Sequence, residues 1–231
     1  MFAYIPARSG SKRIKNKNIK VINGRPIISY VIENIKKLKF IKEVYVSTDS
    51  KKIQKISKKF GANCEFLREK KLANDKAGFI DLINKDLPKY IKLQNNDKEI
   101  LFVLPTAAMV SNFVFSKAYK KYKKDKPNIL MSCKKFNTSP YWSMSTDKKG
   151  FLKTLFPKMV LKGSQFLDPL YHDAGLFYFF DYEKIKKFND LKNSKKVLPF
   201  LLKDENNGID IDTKEDWERF KKIFNLNKLN K

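Results

Sequence analysis

Ile5-Pro6-Ala7-Arg8-Ser9-Gly10-Ser11-Lys12-Arg13-Ile14-Lys15-Asn16-Lys17-Asn18 is the stretch that decides how this chain folds. The apolar run Phe2 to Ile5 before it predicts a first β-strand. Pro26-Ile27-Ile28-Ser29-Tyr30-Val31-Ile32 after it predicts a helix with proline near its first turn. A strand, a turn of small residues and cations, then a helix is how α/β proteins build phosphate sites. Gly10, with the small Ser9 and Ser11, lets backbone N–H groups approach an anion, and Arg8, Lys12 and Lys17 carry charge to neutralise it. The spacing is not that of a Walker A loop. A solvated basic loop has the same local composition, so the stretch alone leaves both readings open.

Further along, short apolar segments alternate with helical periodicity, which predicts a doubly wound α/β fold. Glu43-Val44-Tyr45-Val46-Ser47 reads as a second strand. Thr48-Asp49-Ser50 is placed to cap a helix carrying Ile53, Ile56 and Phe60, which Gly61 ends. Cys64 to Leu67 reads as a third strand, and residues 79–93 as a helix shortened or kinked at Pro88. Ile100-Leu101-Phe102-Val103-Leu104 is the most apolar strand and is expected near the centre of the sheet. Ser111 or Asn112 caps the next helix, and Ile129 to Cys133 and Ala174 to Phe180 are further strands. Lys214 to Phe224 is the last helix, with Thr213 as N-cap and Glu215 and Asp216 in its first turn. Between Lys134 and Tyr171 aromatics, prolines and glycines mix without a period, as in irregular strands over a site or against a subunit partner. With no repeat and no linker, residues 1–231 read as one domain.

Composition sets the outer bounds. A chain of 231 residues with 42% hydrophobic residues suits a single substantial core. No apolar run approaches the ~20 residues needed to span a bilayer, and Pro6 and the basic run cut short any signal-peptide core. Cys64 and Cys133 stand far apart without metal-ligand spacing, so a reducing cytoplasm is expected. The net charge of +26 raises nucleic-acid binding as a rival function. Of the 50 basic residues, however, only five are Arg (Arg8, Arg13, Arg25, Arg68 and Arg219), and phosphate and base readout leans on the Arg fork. The lysines are scattered, mostly on the polar sides of amphipathic helices, where they form a solvated face; no nucleic-acid partner is expected.

The second chemical feature is Gly208-Ile209-Asp210-Ile211-Asp212-Thr213. On an extended segment Asp210 and Asp212 share a face about 7 Å apart. Carboxylates so placed suit Mg²⁺, a hard cation that keeps phosphates and water as its other ligands. Taken locally, the alternative is that Asp212 helps cap the last helix while Asp210 faces water.

As a whole pattern, Ile-Pro-Ala-Arg-x-Gly-Ser-Lys-Arg-Ile-x-x-Lys-Asn resembles the N-terminal signature of the CMP-sialic acid synthetase family, cytidylyltransferases that activate nine-carbon acidic sugars. Matching runs continue to the C-terminus: Val46-Ser47-Thr48-Asp49, Phe66-Leu67-Arg68 with Leu72-Ala73-Asn74-Asp75, and Ile209-Asp210-Ile211-Asp212-Thr213. The resemblance implies a Rossmann-like, mostly parallel sheet of the nucleotide-diphospho-sugar transferase type. It also implies CTP and an acidic nine-carbon sugar as substrates, Mg²⁺ on Asp210 and Asp212, and a homodimer in which residues 134–171 complete the partner's site. By the same resemblance Ala7, Arg8, Gly10, Ser11, Lys12, Asn18 and Arg68 bind nucleotide, and Arg8, Lys12, Lys17 and Asp212 act in catalysis. Tyr171-His172-Asp173-Ala174-Gly175-Leu176-Phe177-Tyr178 resembles the version in pseudaminic acid cytidylyltransferases, which places His172, Asp173 and Gln165 near the sugar.

The chain departs from the family pattern at Glu69, where Pro is common, and in three further places. Gly163 stands where members commonly have Arg, with Lys162 beside it. Ser143 stands where the pseudaminate enzymes tend to have Arg, and Leu104-Pro105-Thr106-Ala107-Ala108 replaces a run ending in Thr-Ala-Pro or Thr-Ser-Pro. All three fall on the presumed sugar side, so N-acetylneuraminate and legionaminate remain alternative acceptors. A related nucleotidyltransferase using a different nucleotide and a sugar phosphate is the more distant reading.

Overall fold

The computed structural model describes residues 1–94, 97–186, 196–202 and 209–229, with side chains described to residue 226. The strands are β1 (Phe2–Pro6), β2 (Val21–Ile22), β3 (Arg25–Pro26), β4 (Val44–Ser47), β5 (Glu99–Val103), β6 (Ile129–Lys135), β7 (Met144–Thr146), β8 (Leu152–Thr154), β9 (Tyr171–Asp181) and β10 (Val197–Leu201). The helices are α1 (Ile27–Lys36), α2 (Lys51–Lys59), α3 (Phe79–Lys85), α4 (Leu87–Leu93), α5 (Asn112–Asp125), α6 (Pro157–Val160), α7 (Tyr182–Ile185) and α8 (Lys214–Leu229). The main sheet runs β10-β6-β9-β5-β1-β4. Within it β9 is antiparallel to both neighbours and the other strands share one direction, giving the expected mostly parallel α/β sheet. The apolar β5 sits inside the sheet as expected, flanked by β9 and β1.

Alternation along each strand divides the core in two. On one face Ala3, Ile5, Val46 and Val103 meet Ile28, Val31, Ile32 and Ile35 of α1, an i, i+3, i+4, i+7 stripe. On the other, Phe2, Tyr4, Ile100, Phe102 and Phe180 meet α3 and α4 through Leu82, Ile83, Leu87 and Tyr90. A third cluster packs Trp217, Phe220 and Phe224 of α8 onto Ile14, Ile22, Ile27, Ile209 and Ile211. Burying each such side chain contributes roughly 1.5–3 kcal/mol. This third cluster joins the basic loop to the C-terminal segment.

The helix ends follow the sequence closely. The Ser50 and Ser111 side chains accept from Ile53 N and Val114 N, and Gly61 adopts a left-handed φ of 83° just past α2. Thr213 Oγ1 accepts from Asp216 N while the Asp216 carboxylate accepts from Thr213 N and Asp212 N, a reciprocal cap on α8.

One expectation needs correction, one is sharpened, and two elements are additions. Cys64 to Leu67 is not a strand; it makes only isolated bridges, Tyr45↔Asn63 and Thr48↔Leu67, at the edge beside β4. Residues 79–93 form two helices that meet at Asp86, because Pro88 supplies no N–H and starts α4 instead of continuing α3. β10 has no counterpart in the sequence reading; it carries Pro199 and lies at the sheet edge, where proline is tolerated. The β2–β3 hairpin was also missed, although Asn23-Gly24, with φ of 48° and 73°, is a strong turn signal.

The third cluster gives a direct test of this architecture. Phe220→Ala should lower stability by about 3–5 kcal/mol, read as a lower urea midpoint.

Candidate active site

The basic loop leaves the C-terminal end of β1 and is pinned at both ends. Ala7 N donates to Ser47 O (2.8 Å), and Asn18 Nδ2 donates to Arg8 O (2.9 Å). At the apex, Ser9 N and Ser9 Oγ donate to the two carboxylate oxygens of Asp49 at 2.8 and 2.6 Å. Burial pushes the Asp49 carboxyl up, but the two Ser9 hydrogen bonds outweigh it and hold the group below its ordinary value. Asp49 therefore ties the loop to the end of β4. Gly10 has no left-handed φ, and a β-carbon there would meet only Ala73 O at 3.8 Å. Within the chain itself nothing requires glycine at this position.

Four of the loop's five cations form two pairs, each facing one carboxylate from elsewhere. Arg8 Nη2 and Lys12 Nζ lie 2.9 and 2.7 Å from the two oxygens of Asp75. Arg13 Nη2 and Lys17 Nζ lie 2.8 and 3.2 Å from Asp212 Oδ1. Lys17 Nζ also donates to Ile211 O at 2.7 Å. The Lys12 ammonium foremost, with Arg8, holds the Asp75 carboxyl below the usual range.

The carboxylates opposite the loop come from the 209–213 segment. Ile209 and Ile211 are buried in the third cluster, which turns Asp210 and Asp212 outward together, as alternation predicts. Desolvation first, and then the neighbouring Asp212 charge, raise the Asp210 carboxyl above its ordinary value. Among the described residues no group of three or more His, Cys, Asp or Glu side chains could cage a metal ion. Two adjacent hard carboxylates, one of them raised by burial and by its neighbour's charge, fit a divalent cation that takes its remaining ligands from phosphate and water.

Between these walls lies a cleft of about 630 Å³ that brings Arg8, Ser11, Lys12, Lys17, Asn18, Arg68, Asp210 and Asp212 together. One end is an apolar slot of Leu72, Phe79, Phe102 and Tyr178, whose Phe79 ring lies 4.7 Å from that of Phe102 and 4.8 Å from that of Tyr178. Such a slot suits a flat ring. Leu104, Pro105 and Thr106, the run that departs from the family pattern, also line this cleft.

His172 lies outside this cleft, in an adjoining cavity of about 400 Å³ walled also by Lys134, Lys135 and Arg219. Asp210 borders both cavities. Asp173 Oδ1 accepts from Gly175 N at 2.8 Å, and its other oxygen accepts from the Tyr178 hydroxyl, so Asp173 links the two sides. Gly175 is favoured here by its left-handed φ of 61°; a β-carbon would only touch Asp210 Oδ2, at 3.8 Å. Gln165 is not brought to either cavity of its own chain; it sits with Gly163 and Ser143 on the exposed segment between β6 and β9.

Arg13, Asp75 and Tyr178 were not among the candidate residues. All three lie in runs that carry the family resemblance, but their partners, Asp212 for Arg13, Arg8 and Lys12 for Asp75 and Asp173 for Tyr178, are set by tertiary packing. Loop cations facing a carboxylate pair at the carboxyl edge of a parallel sheet lie where such folds bind their ligands, an arrangement that fits a nucleotidyltransferase. The comparisons agree. A family model described as cytidylyltransferase matches residues 2–151, and the chain belongs to the cytidylyltransferase family. It is 30% identical to a pseudaminic acid cytidylyltransferase of Campylobacter jejuni over 96% of this chain and 95% of that one. It is 29% identical to a CMP-N,N'-diacetyllegionaminic acid synthase of Legionella pneumophila, covering 98% and 97%. A solved CMP:2-keto-3-deoxy-manno-octonic acid synthetase complexed with CTP shares the fold, with a TM-score of 0.71 at 14% identity and 98% coverage of both chains.

The role of Asp49 is open to measurement. Its depressed carboxyl contributes stability that is complete above the ordinary value of 3.8 and is lost as pH falls through the lower folded value. Asp49→Ala should cost about 1–2 kcal/mol near neutral pH and flatten the acid limb of a pH–stability curve measured by urea denaturation.

Proposed function

We propose that this chain couples CTP to a pseudaminic-acid-like nine-carbon acidic sugar, giving the CMP-sugar and pyrophosphate. The observation that carries the reading is the facing arrangement of four loop cations and two carboxylates across one cleft. Similarity over nearly the whole chain to a pseudaminic acid cytidylyltransferase supports the acceptor. The nearly equal similarity to the Legionella synthase supports legionaminic acid as the second reading.

In the reaction the anomeric hydroxyl oxygen bonds to the α-phosphorus, and the bond from that phosphorus to the bridging oxygen breaks, releasing pyrophosphate. Catalysis then rests on positioning and charge neutralisation. Arg8 and Lys12 exchange Asp75 for the triphosphate, assisted by Ser11 and the backbone N–H groups around Gly10. Lys17, held by Ile211 O, offsets charge developing at the α-phosphate. Ala7, Asn18 and Arg68 complete the nucleotide side, with the base in the slot beside Phe79. Asp210 and Asp212 hold Mg²⁺, which when bound stabilises charge on the phosphoryl oxygens. His172 and Asp173, in and beside the adjoining cavity, serve the sugar side.

Homodimer formation is part of this reading. The segment between β6 and β9 exposes Phe151, Leu152, Leu161 and Phe166 at 70, 71, 92 and 75%. A second copy covering these side chains would also bring Gln165 toward a neighbouring site. Among the described residues no helix is long and apolar enough to cross a membrane; a cytoplasmic location accords with CTP as substrate.

Pyrophosphate release from CTP and Mg²⁺, run in parallel with pseudaminic, legionaminic and N-acetylneuraminic acids, tests the proposal. Release with pseudaminic acid is expected; release with none of the three would overturn it. Asp212→Ala should abolish turnover without loss of fold, and near-wild-type activity would remove the metal assignment. Asp210→Asn should raise the melting temperature of the metal-free protein. A carboxyl held above its ordinary value destabilises the fold as pH rises through that range. Leu161→Glu with Phe166→Glu should halve the mass measured by light scattering.

A further inference from the structure

The cavity beside the cleft carries charge that the rest of the site leaves unused. Asp210 stands on the rim that it shares with the cleft. Lys134 and Lys135 face it from the end of β6, where Lys134 is the cross-strand neighbour of His172 on β9. Arg219 faces it from α8, where Trp217 and Phe220 are buried and so turn Asp216 and Arg219 outward together, three residues apart. The two carboxylates of the cavity are engaged elsewhere. Asp216 Oδ2 accepts from Asp212 N and Thr213 N at 3.0 and 2.7 Å as part of the helix cap, and Asp210 is a proposed metal ligand. Neither the Lys135 nor the Arg219 side chain closes an ion pair among the described residues.

Such a cavity suits an anion, and the arginines decide which residue holds it. Of the five in the chain, Arg8, Arg13 and Arg25 are in ion pairs with Asp75, Asp212 and Glu33, and Arg68 is buried. Residues 136–170 contain none, so neither this segment nor a second copy of it brings a guanidinium here. Arg219 is the exposed fork that remains. A fork holds a carboxylate through two parallel hydrogen bonds, where lysine offers a point charge. The volume of about 400 Å³ lies in the range of small-molecule sites. In the ring form of a 2-keto sugar acid, one carbon carries both the carboxylate and the anomeric hydroxyl. A carboxylate held beyond Asp210 therefore leaves that hydroxyl at the rim, facing the cleft that takes the triphosphate on the proposed reading. The same cations offset the repulsion between carboxylate and triphosphate.

We propose that Arg219, assisted by Lys135, binds the carboxylate of the acceptor sugar in this second cavity. The proposal rests on the reading that the chain joins CTP to an acidic sugar. His172 serves the same ligand. A backbone carbonyl only accepts, so His172 Nδ1–H donates to Asp173 O at 2.9 Å, and Nε2 of the neutral ring is left to accept from a sugar hydroxyl or amide. Phe136 and Leu202 give the cavity an apolar wall for the uncharged part of the sugar.

Initial rates of pyrophosphate release test it, run with whichever of the three acids the wild-type chain turns over fastest. CTP binding by titration calorimetry and melting temperature are recorded for each variant. Arg219→Gln should raise KM for the acid about tenfold, while kcat stays within about threefold and CTP affinity within about twofold. Arg219→Lys should recover part of the loss, and Lys135→Gln should raise the same KM about threefold. The neutral C1 amide of the sugar, used as a competitive inhibitor, gives the charge-specific readout. Arg219→Gln should change its inhibition constant by less than about twofold. Equal rises for acid and amide would show an altered cavity shape, and weaker CTP binding with an unchanged KM for the acid would show that Arg219 serves the triphosphate; either overturns the proposal. Failure of the wild-type chain to turn over any of the acids would overturn the reading beneath it as well. Turnover with a KM indifferent to Arg219 would overturn this inference alone.

Discussion

The parallel pairing of β1 with β4 and β5 is the constraint on which the site depends. Its register, Ala3↔Val44 through Pro6↔Ser47 on one side and Phe2↔Ile100 through Tyr4↔Phe102 on the other, brings three strand ends to one edge of the sheet. Loops that leave those ends must share the same crevice, which is where open α/β sheets place their ligands. Hence the basic loop after Pro6, Asp49 after Ser47 and the Leu104–Thr106 run after Val103 meet, although they are far apart in sequence. The third hydrophobic cluster then adds what the sheet does not supply. Ile209 and Ile211 are held between Trp217 and Ile14, so Asp210 and Asp212 arrive opposite the loop.

The electrostatics follow from this crowding. The net charge of +26 is mostly solvated lysine, but around the cleft each loop cation named above has an anion assigned to it. Asp75 and Asp212 keep the cations oriented and limit their mutual repulsion. On the proposed reading a triphosphate replaces these contacts with stronger ones, so little reorganisation of the loop accompanies binding. Asp210 bears the complementary cost: the burial and neighbouring charge that make it unfavourable as a free carboxylate are removed by a divalent cation.

How much of this was legible depended on whether the signal was local. The loop, its flanking strand and helix, the Ser50, Ser111 and Thr213 caps and the shared face of Asp210 and Asp212 are all written in spacings of a few residues, and the structure retains them. Asn23-Gly24 was equally local and was overlooked. What sequence could not give is pairing across the fold. Arg13 reads as one more cation until α8 brings Asp212 to it. Cys64 to Leu67 has the composition of a strand but sits where only two bridges can form. Asp86 falls inside the segment read as one helix, and its partners Tyr4 and Ser47 are 82 and 39 positions away.

The two halves of the site differ in what supports them. The loop cations, Arg68 and the apolar slot are backed by the sheet and two hydrophobic clusters, so their geometry is set by packing that tolerates little change. The His172–Gly175 side is built on β9 where its register against β6 shifts between Met131 and Cys133, and beyond it lies a segment exposed along most of its length. Changes at Ser143 and Gly163 fall on that exposed segment, where substitution costs the core nothing. An acceptor pocket assembled there is free to diverge while the nucleotide side stays fixed. The halves still meet at one contact: Tyr178 and the Gly175 amide both donate to Asp173, and Gly175 lies beside Asp210. At a φ of 61° a side chain at position 175 would strain the backbone between His172 and Tyr178 rather than crowd Asp210, so it is through this turn that a change on the sugar side reaches Asp173 and Tyr178.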